Sequence, residues 1–148
     1  MPTFKKIKLH KDTVRLEWFA TNASGGEDIH SLESDEKPIG DFARALKALT
    51  QPVIHICELP DDYAEGLTPI SASFSYGGDG RQSATITALK HLTTATAPLV
   101  INTPHLADSA PSPGCPALPA EAVEALIVLC EQAEKYLDGE REQGSLPM

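Results

Sequence analysis

Two stretches of strict alternation constrain the fold more than any other feature of this 148-residue chain. In Ile70-Ser-Ala-Ser-Phe-Ser-Tyr76 the even positions are apolar and the odd positions are serine. In Arg81-Gln-Ser-Ala-Thr-Ile-Thr-Ala-Leu89, Ala84, Ile86 and Ala88 alternate with Ser83, Thr85 and Thr87. A period of two puts successive side chains on opposite faces of a strand, so each stretch predicts a strand with one buried and one solvated face. Gly77-Gly-Asp-Gly80 between them predicts a hairpin turn. Pro98-Leu-Val-Ile-Asn-Thr-Pro104 follows as a short apolar run closed by proline, and predicts a third antiparallel strand covered on both faces.

Upstream, Phe4 to His10 alternates weakly, with Ile7 and Leu9 inward and Lys5, Lys6 and Lys8 outward. A lysine-rich first strand predicts a sheet edge. Thr13 to Phe19 alternates cleanly, with Val14, Leu16 and Trp18 on one face, and Asp28 to Glu33 is a short third strand after the turn at Asn22 to Gly26. Ser34-Asp-Glu-Lys-Pro38 has the composition of a helix start. Ile39, Phe42, Ala43, Leu46 and Leu49 then share one helical face, continued by Val53, Ile56 and Cys57 beyond Pro52. That pattern predicts a kinked helix, or two helices with Pro52 opening the second. Residues 105–118 carry three prolines, with a fourth at Pro119, and read as a linker or flap. From Pro119 a stripe of Val123, Leu126, Ile127, Cys130, Ala133 and Leu137 predicts a helix ended by Gly139, followed by a flexible tail over 139–148.

The order βββ-α-βββ-α predicts an α+β domain formed by residues 1–104 and 119–138. Its core would be an antiparallel sheet of about six strands with two amphipathic helices packed on one face. The outward serines and threonines then belong to the opposite, solvated face.

Function is less legible. With 21 acidic against 12 basic residues the formal net charge is −9, which argues against general binding of duplex DNA, an affinity that comes from cations displacing counterions. No apolar run approaches the roughly 20 residues of a membrane span, and Met-Pro-Thr-Phe-Lys-Lys does not open as a secretory leader, so a cytoplasmic location is expected. Cys57, Cys115 and Cys130 are odd in number and widely spaced, which predicts reduced thiols. No compact ligand pair joins His55 with Cys57, or His105 with Cys115 and Cys130, so neither a metal nor a cofactor is predicted.

The glycine-rich turn ending in Arg81 has the composition of a phosphate cradle, but it joins two strands and opens no helix, so a plain turn is the better reading. Ser73, Ser75, Asp79 and His91 lie close in sequence, yet no elbow motif frames a nucleophile. Asp61 and Asp62 read as a solvated turn. The candidate ligand or partner surface combines a small basic strip, Arg44 and Lys47, with Arg81 and the neutral polar residues Thr85, Thr87, His91, Asn102 and His105.

Several strings resemble those of an uncharacterised family of small bacteriophage and prophage proteins. They are Cys57-Glu-Leu-Pro60 with Tyr63 and Gly66-Leu67, then Ala84-Thr-Ile-Thr-Ala-Leu-Lys90, Pro98-Leu-Val-Ile-Asn-Thr-Pro-His105, and Ala133-Glu-Lys-Tyr-Leu with the Gly-Glu-Arg-Glu-Gln-Gly-Ser-Leu tail. The resemblance implies a phage setting, hence the host cytoplasm, and brings no catalytic residues with it. The tail Gln143 to Met148 also resembles peptides that dock into bacterial sliding clamps, without their terminal aromatic or leucine pair.

The reading that follows is a non-enzymatic binding protein. It would act in phage DNA metabolism, as a clamp-like oligomer or with a replication partner, or against host defence by sequestering a nucleotide-type ligand or a host protein. The alternative is a small hydrolase using His91 or His105 near the sheet end. Homo-oligomerisation is expected through an open edge, either Phe4 to His10 or Asp28 to Glu33.

Overall fold

A computed structural model describes residues 3–76, 82–109 and 116–139. Strands β1 (Thr3–His10), β2 (Thr13–Thr21) and β3 (Glu27–Ser34) lead into helices α1 (Gly40–Lys47) and α2 (Thr50–Cys57). A 3-10 turn at Asp61–Ala64 precedes β4 (Leu67–Tyr76), β5 (Gln82–Lys90), β6 (Leu99–Asn102), the short β7 (Leu106–Ala107) and α3 (Ala120–Leu137). The fold is α+β, with an open antiparallel sheet ordered β3-β2-β1-β4-β5-β6 and β7 beside the first residues of β5. The Arg81 turn, Asp79, Cys115 and the clamp-like tail all lie outside the described residues.

Alternation and register together build the covered face. Leu32, Leu16, Ile7, Ala72 and Ile86 are successive cross-strand partners from β3 to β5, and the last four are fully buried. Against this row pack Phe42, Leu46 and Leu49, then Val53 and Ile54, then Leu126, Leu129 and Ala133 from α3. Phe42 meets Tyr136 edge to face at 6.0 Å, joining α1 to α3. Tyr136 is wholly buried and its hydroxyl donates to the Glu36 carbonyl at 2.6 Å, so it fixes the segment entering α1 as well.

The helical stretch after β3 divides into two, with Pro52 in the first turn of α2, where a missing N–H costs nothing. Glu58 in the left-handed region ends α2. Two predicted stripe positions are placed differently. Ala43 is exposed while Ala45 is buried, and Ile127 is 52% exposed while Leu129 is buried, because the buried positions 122, 126, 129, 133 and 136 keep the 3.6-residue period and 127 falls off it.

Two strand expectations are overturned. Lysine-rich β1 is interior, paired with both β2 and β4, because its lysines project to one face of the sheet rather than marking its margin. A bulge between Phe4 and Lys6 shifts the phase, so that Phe4 and Ile7 are both buried although they stand three positions apart, a spacing that puts side chains on opposite faces of a regular strand. Conversely, β6 is not covered on both faces. It is an outer strand whose Leu99 and Val100 are 47% and 55% exposed, since a four-residue apolar run is too short to tell a central strand from an outer one. At its end Thr103 takes over the ladder, donating its N–H to Ile86 and accepting the Ile86 N–H on its own hydroxyl, both at 2.9 Å. Leu106–Ala107, inside the stretch read as a linker, pair with Ala84 and Ser83, and Leu118 N–H donates to the Ala107 carbonyl at 2.8 Å.

Candidate functional site

Three features of the described residues have the chemistry of a site. The first is the open face of the sheet. Strand alternation places Ser71, Ser73 and Ser75 of β4 opposite Thr87, Thr85 and Ser83 of β5, and the β5–β6 register adds Asn102 beside Thr87. Thr87 Oγ1 donates to Asn102 Oδ1 at 2.6 Å. His105, carried just past the end of β6 by Thr103-Pro104, lies between two hydroxyls. Its Nε2 is 2.7 Å from Ser75 Oγ and its Nδ1 2.8 Å from Thr85 Oγ1. A neutral imidazole donates from one nitrogen and accepts at the other, so one hydroxyl gives a hydrogen bond and the other receives one, and the ring is held by both sides.

The other half of that face is charged. Lys6 stands opposite Glu17 and Lys8 opposite Arg15. Arg15 binds Glu17 at 3.0 Å and reaches Glu33 at 3.5 Å, and the hydrogen bond to Glu17 raises its already high pKa. The Arg15 charge is thus met by carboxylates of β2 and β3.

The second feature is a groove of about 780 Å³. The two-residue turn of the β1–β2 hairpin, Lys11 and Asp12, forms one wall. Lys37 to Gly40 at the entrance of α1 and Lys47 at its end form another, and Glu65 to Ile70 leading into β4 close it. Both turn residues adopt positive φ, 51° and 65°, which is the tight geometry that matches strand twist and brings Lys11 over the helix. Three lysines and His10 thus meet Asp12 and Glu65 over a floor that includes Leu9, Leu46 and Leu67. The volume lies in the roughly 300–1,000 Å³ range of small-molecule sites.

The third is a cleft of about 330 Å³ between α3 and the ends of β1, β4 and β5, lined by Phe4, Ala84, Leu118, Leu126 and Cys130 with Gln82 and Asp108 at its rim. Burial, with Glu131 nearby, pushes the Cys130 thiol up to about 12. Burial, then Cys130, pushes the Tyr76 phenol up to about 12, and its hydroxyl donates to the Phe4 carbonyl at 2.7 Å. Burial also raises the Cys57 thiol. Protonated thiols are poor nucleophiles, so neither cysteine is activated.

The predicted surface residues therefore separate. Thr85, Thr87, Asn102 and His105 gather on the open face. Lys47 lines the groove instead, while neighbouring Arg44 is exposed and ion-paired with Asp41 on its own helix. His91 lies past the end of β5, where its N–H donates to the Gly66 carbonyl at 2.9 Å, and it joins neither set. His55 pairs with Glu121, linking α2 to α3. Lys11 and Lys37 were not singled out in the sequence, because only the fold brings Lys11 of the hairpin turn beside Lys37 at the entrance of α1. Among the described residues no three His, Cys, Asp or Glu side chains cluster as for a metal ion, and no helix is long and apolar enough to cross a membrane. Compared with protein-family models, with curated proteins and with solved structures, the chain matches none of them.

Proposed function

We propose that this is a non-enzymatic binding protein that takes a nucleotide-type anion in the lysine groove. The observation that carries the reading is the convergence of Lys11, Lys37 and Lys47 on one concavity in a chain of net charge −9. Ammonium groups form charge-assisted hydrogen bonds with phosphate oxygens, and the apolar floor suits the flat face of a base. The pairing of Arg44 with Asp41 leaves a DNA-facing strip on α1 little free charge, so a small ligand is favoured over a clamp-like role. In the phage setting that the sequence resembles, holding such a ligand would withdraw a nucleotide signal from the host.

Calorimetric titration with nucleoside diphosphates and cyclic dinucleotides tests this. Binding should appear in the wild type, and each of Lys11→Glu and Lys47→Glu should weaken it at least roughly tenfold, as loss of a hydrogen bond to a charged group does. Absence of heat at millimolar nucleotide, together with no adduct in native mass spectrometry, sinks the reading.

A second reading, a small hydrolase, has one observation in its favour, the 2.7 Å approach of Ser75 Oγ to His105 Nε2. That is the reach of a nucleophile and its base. The far side of the ring meets Thr85 rather than a carboxylate, which is why this reading ranks second. A fluorophosphonate probe that labels Ser75, and loses its target in His105→Ala, would promote it.

A further inference from the structure

The two outer strands of the sheet meet water differently. β3 carries Glu27, Asp28 and Glu33, and like charges on an outer strand discourage pairing with a second copy. β6, Leu-Val-Ile-Asn, has no charge and exposes Leu99 and Val100. The inward bond from Thr103 N–H to Ile86 sets the phase of its ladder. By alternation Ile101 and Leu99 also turn their N–H and C=O toward β5, which leaves those of Val100 and Asn102 pointing away from the sheet. Among the described residues nothing bonds to these outward groups.

We propose that β6 is a self-association edge, where two copies of this chain pair antiparallel about a two-fold axis at Ile101. In that register Val100 faces the partner's Asn102 and Asn102 faces the partner's Val100. Each of these is a pair that exchanges two bonds, so four N–H···O=C bonds close and every outward group is satisfied. The next outward positions are Pro98 and Pro104, which also fall opposite one another and have no N–H to leave orphaned. The ladder therefore ends after one closed set, and the product is a dimer rather than a fibre. Charge selects the same edge. Two chains of net charge −9 approach most easily where neither presents a carboxylate, whereas pairing through β3 would set three acidic residues against three. The pairing also brings the two Thr87–Asn102 pairs of the open face near the axis.

This inference is independent of the groove and has its own test. Sedimentation equilibrium of the full chain across the micromolar to millimolar range should show a reversible monomer–dimer equilibrium. Val100→Pro removes only an outward N–H from each copy, and should weaken the dimer roughly 10- to 100-fold. Val100→Lys leaves every backbone group in place but sets two cations near the axis, so it decides the matter if the proline variant folds poorly; Val100→Thr should dimerise like the wild type. Amide exchange at Val100 and Asn102 should slow as concentration rises. A wild type that stays monomeric through the millimolar range overturns the proposal, as does a dimer whose dissociation constant in both Val100→Pro and Val100→Lys is unchanged from that of the wild type.

Discussion

The two faces of the sheet are written by the same strands in the same alternation, yet they do opposite things. On the covered face Ile7, Leu16, Ala72 and Ile86 are each excluded from water beneath the helices packed on that face, and their shapes are constrained by close packing. On the open face Ser75, Thr85, Thr87 and Asn102 make hydrogen bonds that water could equally supply. The apolar face holds the fold together, and the polar face leaves it free to vary. A face on which substitution costs little is where function can be placed without loss of stability.

The contrast can be broken most severely from the covered side. Leu16→Ala or Ile86→Ala should lower the unfolding free energy by about 2–5 kcal/mol in urea titrations, since each leaves a cavity in a row that cannot collapse. A loss below about 1 kcal/mol would mean that the two faces are not so unequal.

Alkali should also act from the covered side. Cys130 is raised from its usual 9.0 to about 12 and Tyr76 from 10.0 to about 12, so the folded chain keeps protons that the unfolded chain releases. Stability from both groups is fully present below pH 9 and is lost as pH climbs from 9 toward about 12. Urea midpoints between pH 8 and 11 should fall, and the fall should be shallower in Cys130→Ala.

Smaller still is the effect of Tyr136→Phe, which keeps the packing against Phe42 but removes the bond to the Glu36 carbonyl. A loss of about 1 kcal/mol is expected, with faster amide exchange in the segment before α1. In the hairpin turn, Asp12→Gly should raise stability by about 0.5–1 kcal/mol, because a side chain at φ 65° is strained and glycine is not. Any decrease there would point to a role for the carboxylate in the turn itself. Thr85→Ala on the open face should shift the urea midpoint least, within about 0.5 kcal/mol, and this sharpens the comparison from the other side.

Much of the architecture was legible in particular residues. The serine alternation of β4 and the threonine alternation of β5 give their strands, their faces and their pairing, because a period of two has no other regular structure that suits it. The stripe of α3 was legible except at Ile127, whose hydrophobicity hid its position off the buried face. Lys5, Lys6 and Lys8 suggested an outer strand and belong to an interior one, since charge in a strand reports the face a side chain takes and says nothing of which neighbours its backbone has. β6 misled for the converse reason, as its short apolar run has exposed side chains and, among the described residues, no strand beyond it. The candidate site was half legible: hydroxyls at Thr85 and Thr87 could be assigned to a solvated face, but that His105 lies between Ser75 and Thr85 depends on contacts 20 and 30 residues apart.

What the sequence alone determined are the properties carried by local period and composition: the six longer strands, the helices, the α+β class and the net charge of −9. What only the tertiary structure decided are the order of strands, the outer position of β6, and the meeting of Lys11, Lys37 and Lys47 in one groove. Backbone hydrogen bonds between strands are nearly blind to side-chain identity. Which strand lies beside which is therefore settled by the packing of the whole core, and every site that joins distant segments inherits its geometry from that choice.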